Sequence, residues 1–167
     1  MLANLFVYGT LRPESAYPMA RRLQAQAKLL GRASAPGILY DFGRYPGALF
    51  QPEHRDRILG HVLALRNAER LLKELDAYEG IIDPASGFRR LEIEVRLEKG
   101  GRIDAWAYGL SEPPLGRGAL AAATSSRMSA AEPRVRSALS LLPFAHLCRA
   151  DRTATRAGSQ LKAWNKR

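Results

Sequence analysis

Hydrophobic and polar positions divide the chain into two regions with different patterning. Residues 5–8 (Leu-Phe-Val-Tyr) form a short apolar run closed by Gly9, the pattern of a buried strand. Residues 27–30 and 37–40 read as strands on either side of a breaker at Pro36-Gly37, and residues 58–65 as another. The sharpest signal is at 90–97, where Leu91, Ile93, Val95 and Leu97 alternate with Arg90, Glu92, Glu94 and Arg96. This period of two predicts a strand with one apolar face. Lys99-Gly100-Gly101 supplies a turn, and residues 102–108 return as the second arm of an antiparallel hairpin. Its alternation puts Trp106 and Tyr108 on one face and Ala105 and Ala107 on the other. One helix is predicted between the strands. Asn67 caps its start, Gly80 stops it, and Leu71, Leu72, Leu75 and Tyr78 recur at helical spacing.

Beyond residue 110 the patterning stops. Residues 111–167 are rich in Ala, Arg and Ser, with Pro113, Pro114, Pro133 and Pro143 scattered among them. A helix within 131–142 would have to start near Pro133. The expected organisation is a folded domain over 1–110 and a basic, weakly ordered tail over 111–167. The full chain of 167 residues carries a net charge of +10. Residues 1–110 hold 16 Lys+Arg against 13 Asp+Glu and residues 111–167 hold 10 against 3, so most of the basicity lies in the tail. A basic tail suggests nucleic acid. Its aromatics are only Phe144 and Trp164, too few for a base-stacking platform, which argues against that partner.

A single cysteine, Cys148, excludes a disulfide framework and an all-cysteine metal site. His54, His61 and His146 fall in no ligand motif, so no metal is expected. The N-terminus lacks a basic segment followed by an apolar run, and no stretch approaches about 20 apolar residues. The expected location is the cytoplasm. There is no phosphate loop and no Gly-x-Ser-x-Gly elbow.

Four places could carry chemistry. At Tyr8-Gly9-Thr10-Leu11 a strand ends in a glycine turn, whose successive N–H groups would either cradle an anion or merely change the chain direction. Glu79 lies inside the apolar stripe of the helix, four residues after Leu75, and at the helix C-terminus. Burial and the helix dipole would both raise its pKa toward that of a general base. A frayed last turn would instead release it into solvent. Tyr45-Pro46-Gly47 has the composition of a surface turn. Arg89 and Arg90 are either surface charges or the anchor of a substrate carboxylate.

Taken in order, Tyr8-Gly9-Thr10-Leu11-Arg12, Tyr45-Pro46-Gly47, Leu75-Asp76-Ala77-Tyr78-Glu79-Gly80, Phe88-Arg89-Arg90 and Ala105-Trp106-Ala107-Tyr108 resemble the landmarks of γ-glutamylcyclotransferase-like proteins, nearest the γ-glutamylamine cyclotransferase subgroup. The resemblance covers about residues 3–110. It implies an α+β fold, a small mixed β-barrel edged by short helices around a cavity. It also implies a cofactor-free acyl transfer in which a γ-glutamyl substrate cyclises to 5-oxoproline and releases an amine. Glu79 would be the acid–base catalyst, and Tyr8, Gly9, Thr10, Leu11, Tyr45 and Arg89 would bind the substrate. Phe88 departs from the family pattern, which has a tyrosine there, and the Ala/Arg/Ser-rich run replaces the expected acidic-aromatic ending. The alternative is a non-catalytic small-ligand module on the same fold.

Overall fold

The computed structural model describes residues 2–43, 45–83 and 86–114. The predicted tail, including any helix within 131–142, lies outside the described residues from 115 on. Six strands and two helices follow one another: β1 (Asn4–Val7), α1 (Pro18–Gln26), β2 (Ala27–Asp41), β3 (Pro46–Phe50), β4 (Arg57–Leu65), α2 (Ala68–Glu79), β5 (Phe88–Leu97) and β6 (Arg102–Leu110). The hydrogen-bonded order is β3-β2-β4-β1-β6-β5, and β2 also pairs with β5. That last pairing, Ala33 with Leu97 and Ser34 with Arg96, closes five strands into a barrel and leaves β3 as a flap on β2. All pairings are antiparallel except β1 with β6, so the barrel is mixed.

Period-two alternation sorts the core into two layers. Phe6, Tyr8, Ala33, Ala35, Ile58, Val62, Val95, Ala105 and Ala107 fill one cluster within the barrel. Leu5, Val7, Leu63, Leu65 and Tyr108 point the other way and meet Leu23 of α1 and Leu71, Leu72 and Leu75 of α2. Trp106 and Tyr108 thus face the helices while Ala105 and Ala107 face inward, as the hairpin pattern predicts.

Three elements differ from the sequence expectation. The two strands expected around Pro36-Gly37 are one continuous strand, β2, with a bulge between Leu29 and Gly31. Pro36 sits opposite Arg57 in that ladder, and the Gly37 N–H bonds to the Asp56 carbonyl at 3.1 Å. The Tyr45-Pro46-Gly47 segment, expected to be a turn, enters β3, where Gly47 pairs with Tyr40 and Pro46 with Asp41. Pro46 takes the first position of the strand, where its missing N–H is tolerated. The third difference is α1, a second helix that starts on Pro18 and buries Ala20 and Leu23. Among the described residues no helix is long and apolar enough to cross a membrane.

Gly60 marks where β4 crosses β1. A Cβ there would overlap the Val7 carbonyl oxygen and come within 2.8 Å of the Phe6 ring. Gly60→Ala is therefore expected to lower the unfolding free energy by about 1–3 kcal/mol. Urea unfolding measures this, and an unchanged midpoint would mean that β1 and β4 separate more easily than the packing implies.

Candidate active site

The site is built where the first strand ends and the second helix stops. Asn67 Oδ1 accepts from the Arg70 N–H at 3.3 Å, which sets the start of α2. At the other end Gly80 adopts a left-handed conformation (φ 69°), and its N–H turns back to the Asp76 carbonyl. The helix therefore ends sharply after Glu79, and the last turn does not release the acid into solvent. Glu79 is only 5 % exposed.

Glu79 lines a narrow cavity with about 30 Å³ open to a water-sized group. Tyr8, Gly9, Thr10 and Leu11 line the same cavity, along with Phe6, Val7, Pro46, Phe88 and Tyr108. The glycine turn and the helix-terminal acid, 68 positions apart at Leu11 and Glu79, thus share one enclosure. The Gly9 carbonyl accepts from the Arg12 N–H at 3.2 Å and closes the turn. The N–H groups of Gly9, Thr10 and Leu11 donate to no backbone carbonyl among the described residues.

Burial among these mostly apolar walls pushes the Glu79 carboxyl up to about 8. Its carboxylate has no hydrogen-bond or ion-pair partner among the described residues to oppose that shift. Two phenols stand close enough to feel its charge. Burial first, and the Glu79 charge second, raise both Tyr8 and Tyr78, the latter to about 12, so both remain protonated near neutral pH. Tyr8 Oη donates to the Tyr108 carbonyl at 2.8 Å and accepts from the Ala48 N–H at 3.2 Å, which ties β1 to β6 and β3. Tyr78 bonds to Thr10 and links the last turn of α2 directly to the glycine turn.

The remaining expected residues lie elsewhere. Tyr45 is buried but does not line the cavity. Its ring stacks on Phe42 (centroids 5.3 Å apart) and leans on Phe88 (6.4 Å), so it backs the wall that Pro46 and Phe88 form. Arg89, expected at the substrate, is exposed and does not line the cavity either. Strand alternation sends Phe88 and Arg90 to one face of β5 and Arg89 to the other.

Arg90 finds a different role. Its Nη1 donates to both Asp76 oxygens at 2.9 and 2.8 Å, and its guanidinium lies 4.9 Å from the centre of the Trp106 ring. Asp76 Oδ1 also accepts from Tyr108 Oη at 2.7 Å. The final turn of α2 is thereby fastened to β5 and β6 three residues before Glu79. Asp76 lies outside the apolar stripe, and its partners follow 14 and 32 residues later. In sequence, Asp76 is marked by its place in the Leu75-to-Gly80 landmark three residues before Glu79, while nothing local marks its partners.

A family model described as gamma-glutamyl cyclotransferase, AIG2-like, matches residues 5–125, which runs past the boundary expected at 110. No curated protein matches the chain. Among solved structures, YkqA from Bacillus subtilis is 27 % identical with a TM-score of 0.51, covering 66 % of this chain and 36 % of its own. The chain therefore spans only about a third of YkqA. An AIG2-like protein from Mus musculus is 22 % identical with a TM-score of 0.55, covering 68 % of this chain and 80 % of its own. That likeness shows the shared barrel fold.

Proposed function

Because this chain belongs to the gamma-glutamyl cyclotransferase, AIG2-like family, we propose that it converts γ-glutamyl amides or amines to 5-oxoproline and a free amine, with Glu79 as general acid–base. The observation that carries this reading is a carboxyl buried to 5 % exposure, unpaired among the described residues, in one cavity with the Gly9–Thr10–Leu11 backbone.

The chemistry needs little else. The substrate's α-amino group is an ammonium at neutral pH and cannot attack. Glu79 takes its proton, and the freed nitrogen attacks the substrate's own γ-carbonyl carbon. The new C–N bond closes the five-membered ring and the bond to the amine breaks. The proton held by Glu79 passes to the departing nitrogen as its bond breaks. The ring nitrogen's second proton follows by the same carboxylate to the freed amine, which leaves as an ammonium, so the lactam is neutral and the carboxylate is restored. An acid raised to about 8 is close in basicity to an α-amino group, so the transfer runs in both directions with little cost. The N–H groups of the glycine turn would receive the oxyanion that develops on the γ-carbonyl. Holding the glutamyl chain folded supplies the proximity that free substrate lacks.

The test is release of 5-oxoproline from γ-glutamyl amines and peptides, followed against pH. Glu79 must be unprotonated while the substrate's α-amino group still carries its proton, so kcat/KM is expected to be bell-shaped, rising on the acid side with an apparent pKa of about 8 and falling again as the ammonium is lost. No 5-oxoproline from any such substrate, with folded protein, would overturn the reading.

A further inference from the structure

A second cleft opens on the outer face of the barrel and shares no lining residue with the Glu79 cavity. It offers about 360 Å³ on the same measure, the size of a small-molecule site. The alternation that sends Ala33, Ala35, Ile58, Val62 and Val95 into the barrel sends Arg32, Ser34, Arg57, His61 and Arg96 outward. Register gathers them, because Arg32 lies opposite His61 in the β2–β4 ladder and Ser34 opposite Arg96 in the β2–β5 pairing. Arg12 and Glu14, just after the glycine turn, complete one side, and Glu98 another.

Four arginines and two glutamates line this cleft, a surplus of two positive charges. Arg57 is fixed by donating to Ser34 Oγ and to the Ser34 carbonyl, each at 2.8 Å. Arg32 and Arg96 have no side-chain hydrogen bond or ion pair among the described residues. His61 is 8 % exposed. Its Nε2 lies 3.3 Å from Glu14 Oε1, while its buried Nδ1 has no hydrogen-bond partner among the described residues. Burial chiefly holds the imidazole below its usual value. The Glu14 charge opposes this, and the nearby Arg12 and Arg32 charges reinforce it.

We propose that this cleft binds a phosphate-bearing small molecule, with the phosphoryl group held between Arg32 and Arg96 beside Arg57 and His61. A phosphomonoester carries close to two negative charges at neutral pH, which matches the surplus of the cleft, and its oxygens suit the forked guanidinium donors. A monocarboxylate would leave one positive charge uncompensated. The proposal stands independently of the chemistry assigned to Glu79.

Calorimetric titration of the full chain at constant ionic strength, with inorganic phosphate and with adenosine monophosphate as probes, tests this. One saturable site per chain is expected. Arg32→Ala and Arg96→Ala, both at exposed positions, should each weaken it roughly tenfold or more, with unfolding midpoints unchanged. Glu79→Gln should leave it intact. If phosphate binds and the nucleotide only matches it, the phosphoryl group alone is recognised. Tighter nucleotide binding points to a larger ligand filling the cleft. Both outcomes support the site. No saturable binding of either probe at millimolar concentration would overturn it, as would wild-type affinity in both arginine variants. Capture of a single-stranded RNA oligomer, lost in the same variants while neither small probe binds, would also overturn it in favour of a nucleic-acid surface.

Discussion

Glu79→Gln is expected to cut 5-oxoproline release by roughly a thousandfold, in the range that removing a positioned general acid–base produces. Glutamine keeps the size of the side chain and loses the ability to take the ammonium proton. The same substitution is expected to stabilise the fold, and the sign follows from linkage. The carboxyl is raised from its ordinary 4.5 to about 8 by burial. Between those values the folded chain holds a proton there that the unfolded chain has released. Wild-type stability therefore falls as pH rises through this window, by about 1.4 kcal/mol per pH unit at most, and the loss is complete above the folded value. Glutamine does not titrate. The advantage of Glu79→Gln should thus be small near pH 4.5 and grow to roughly 3–5 kcal/mol near pH 8. Denaturant unfolding of both proteins across that range measures it. A variant that is inactive and equally destabilised at every pH would mean the acid has a structural role instead.

Asp76→Ala carries the second largest effect. Asp76 joins α2 to the barrel through two bonds from Arg90 and one from Tyr108. Both charged side chains are mostly shielded, at 28 % and 19 % exposure for Arg90 and Asp76. Removing the acid leaves the Arg90 guanidinium without its carboxylate and the Tyr108 hydroxyl with only its longer contact to the Leu72 carbonyl at 3.4 Å. A fully buried pair would cost about 3–5 kcal/mol, and residual solvent access brings the expected loss to about 2–3 kcal/mol. Because Asp76 secures the turn that ends in Glu79, a small displacement of the acid should also lower kcat, by roughly ten- to a hundredfold. The apparent pKa near 8 should remain, since the burial that sets it comes from the walls of the cavity and not from Asp76. An unchanged unfolding midpoint would show that the helix is held by its leucine face alone.

The contrast with the surface pairs is instructive. Arg22 bonds Glu74 through Nε and Nη2 at 2.7 and 2.9 Å, linking α1 to α2, and Lys73 meets Glu69 within α2 at 3.0 Å. Arg22, Lys73 and Glu69 are half or more exposed, and a pair with one side in water contributes little. Good geometry alone does not make an ion pair important; the shielding of Asp76 and Arg90 does.

Much of this molecule was legible from local pattern. The alternation at 90–97, the Gly100-Gly101 turn and the Asn67 and Gly80 caps act over a few residues, so they place β5, β6 and α2 without knowledge of the rest. The position of Glu79 on the leucine stripe belongs to the same class, since helical geometry puts residues 71, 75 and 79 on one face. Helix α1 was not legible, because nine residues with only Ala20 and Leu23 buried give a weak period and the helix depends on the layer it packs into. Nor was β3, whose Tyr-Pro-Gly opening has turn composition and becomes a strand only by pairing with β2 and burying Tyr45 and Leu49.

What tertiary structure alone decided are the encounters between distant segments. The parallel contact of β1 with β6 and the closure of β2 on β5 bring the glycine turn to Glu79, Tyr108 to Asp76, and Arg32 to Arg96. A carboxyl on a helix face becomes a strong base only when other elements take water away from it, and scattered arginines become a cleft only when strand register sets them side by side. Desolvation and convergence are properties of neighbours in space, which the order of residues along the chain does not express.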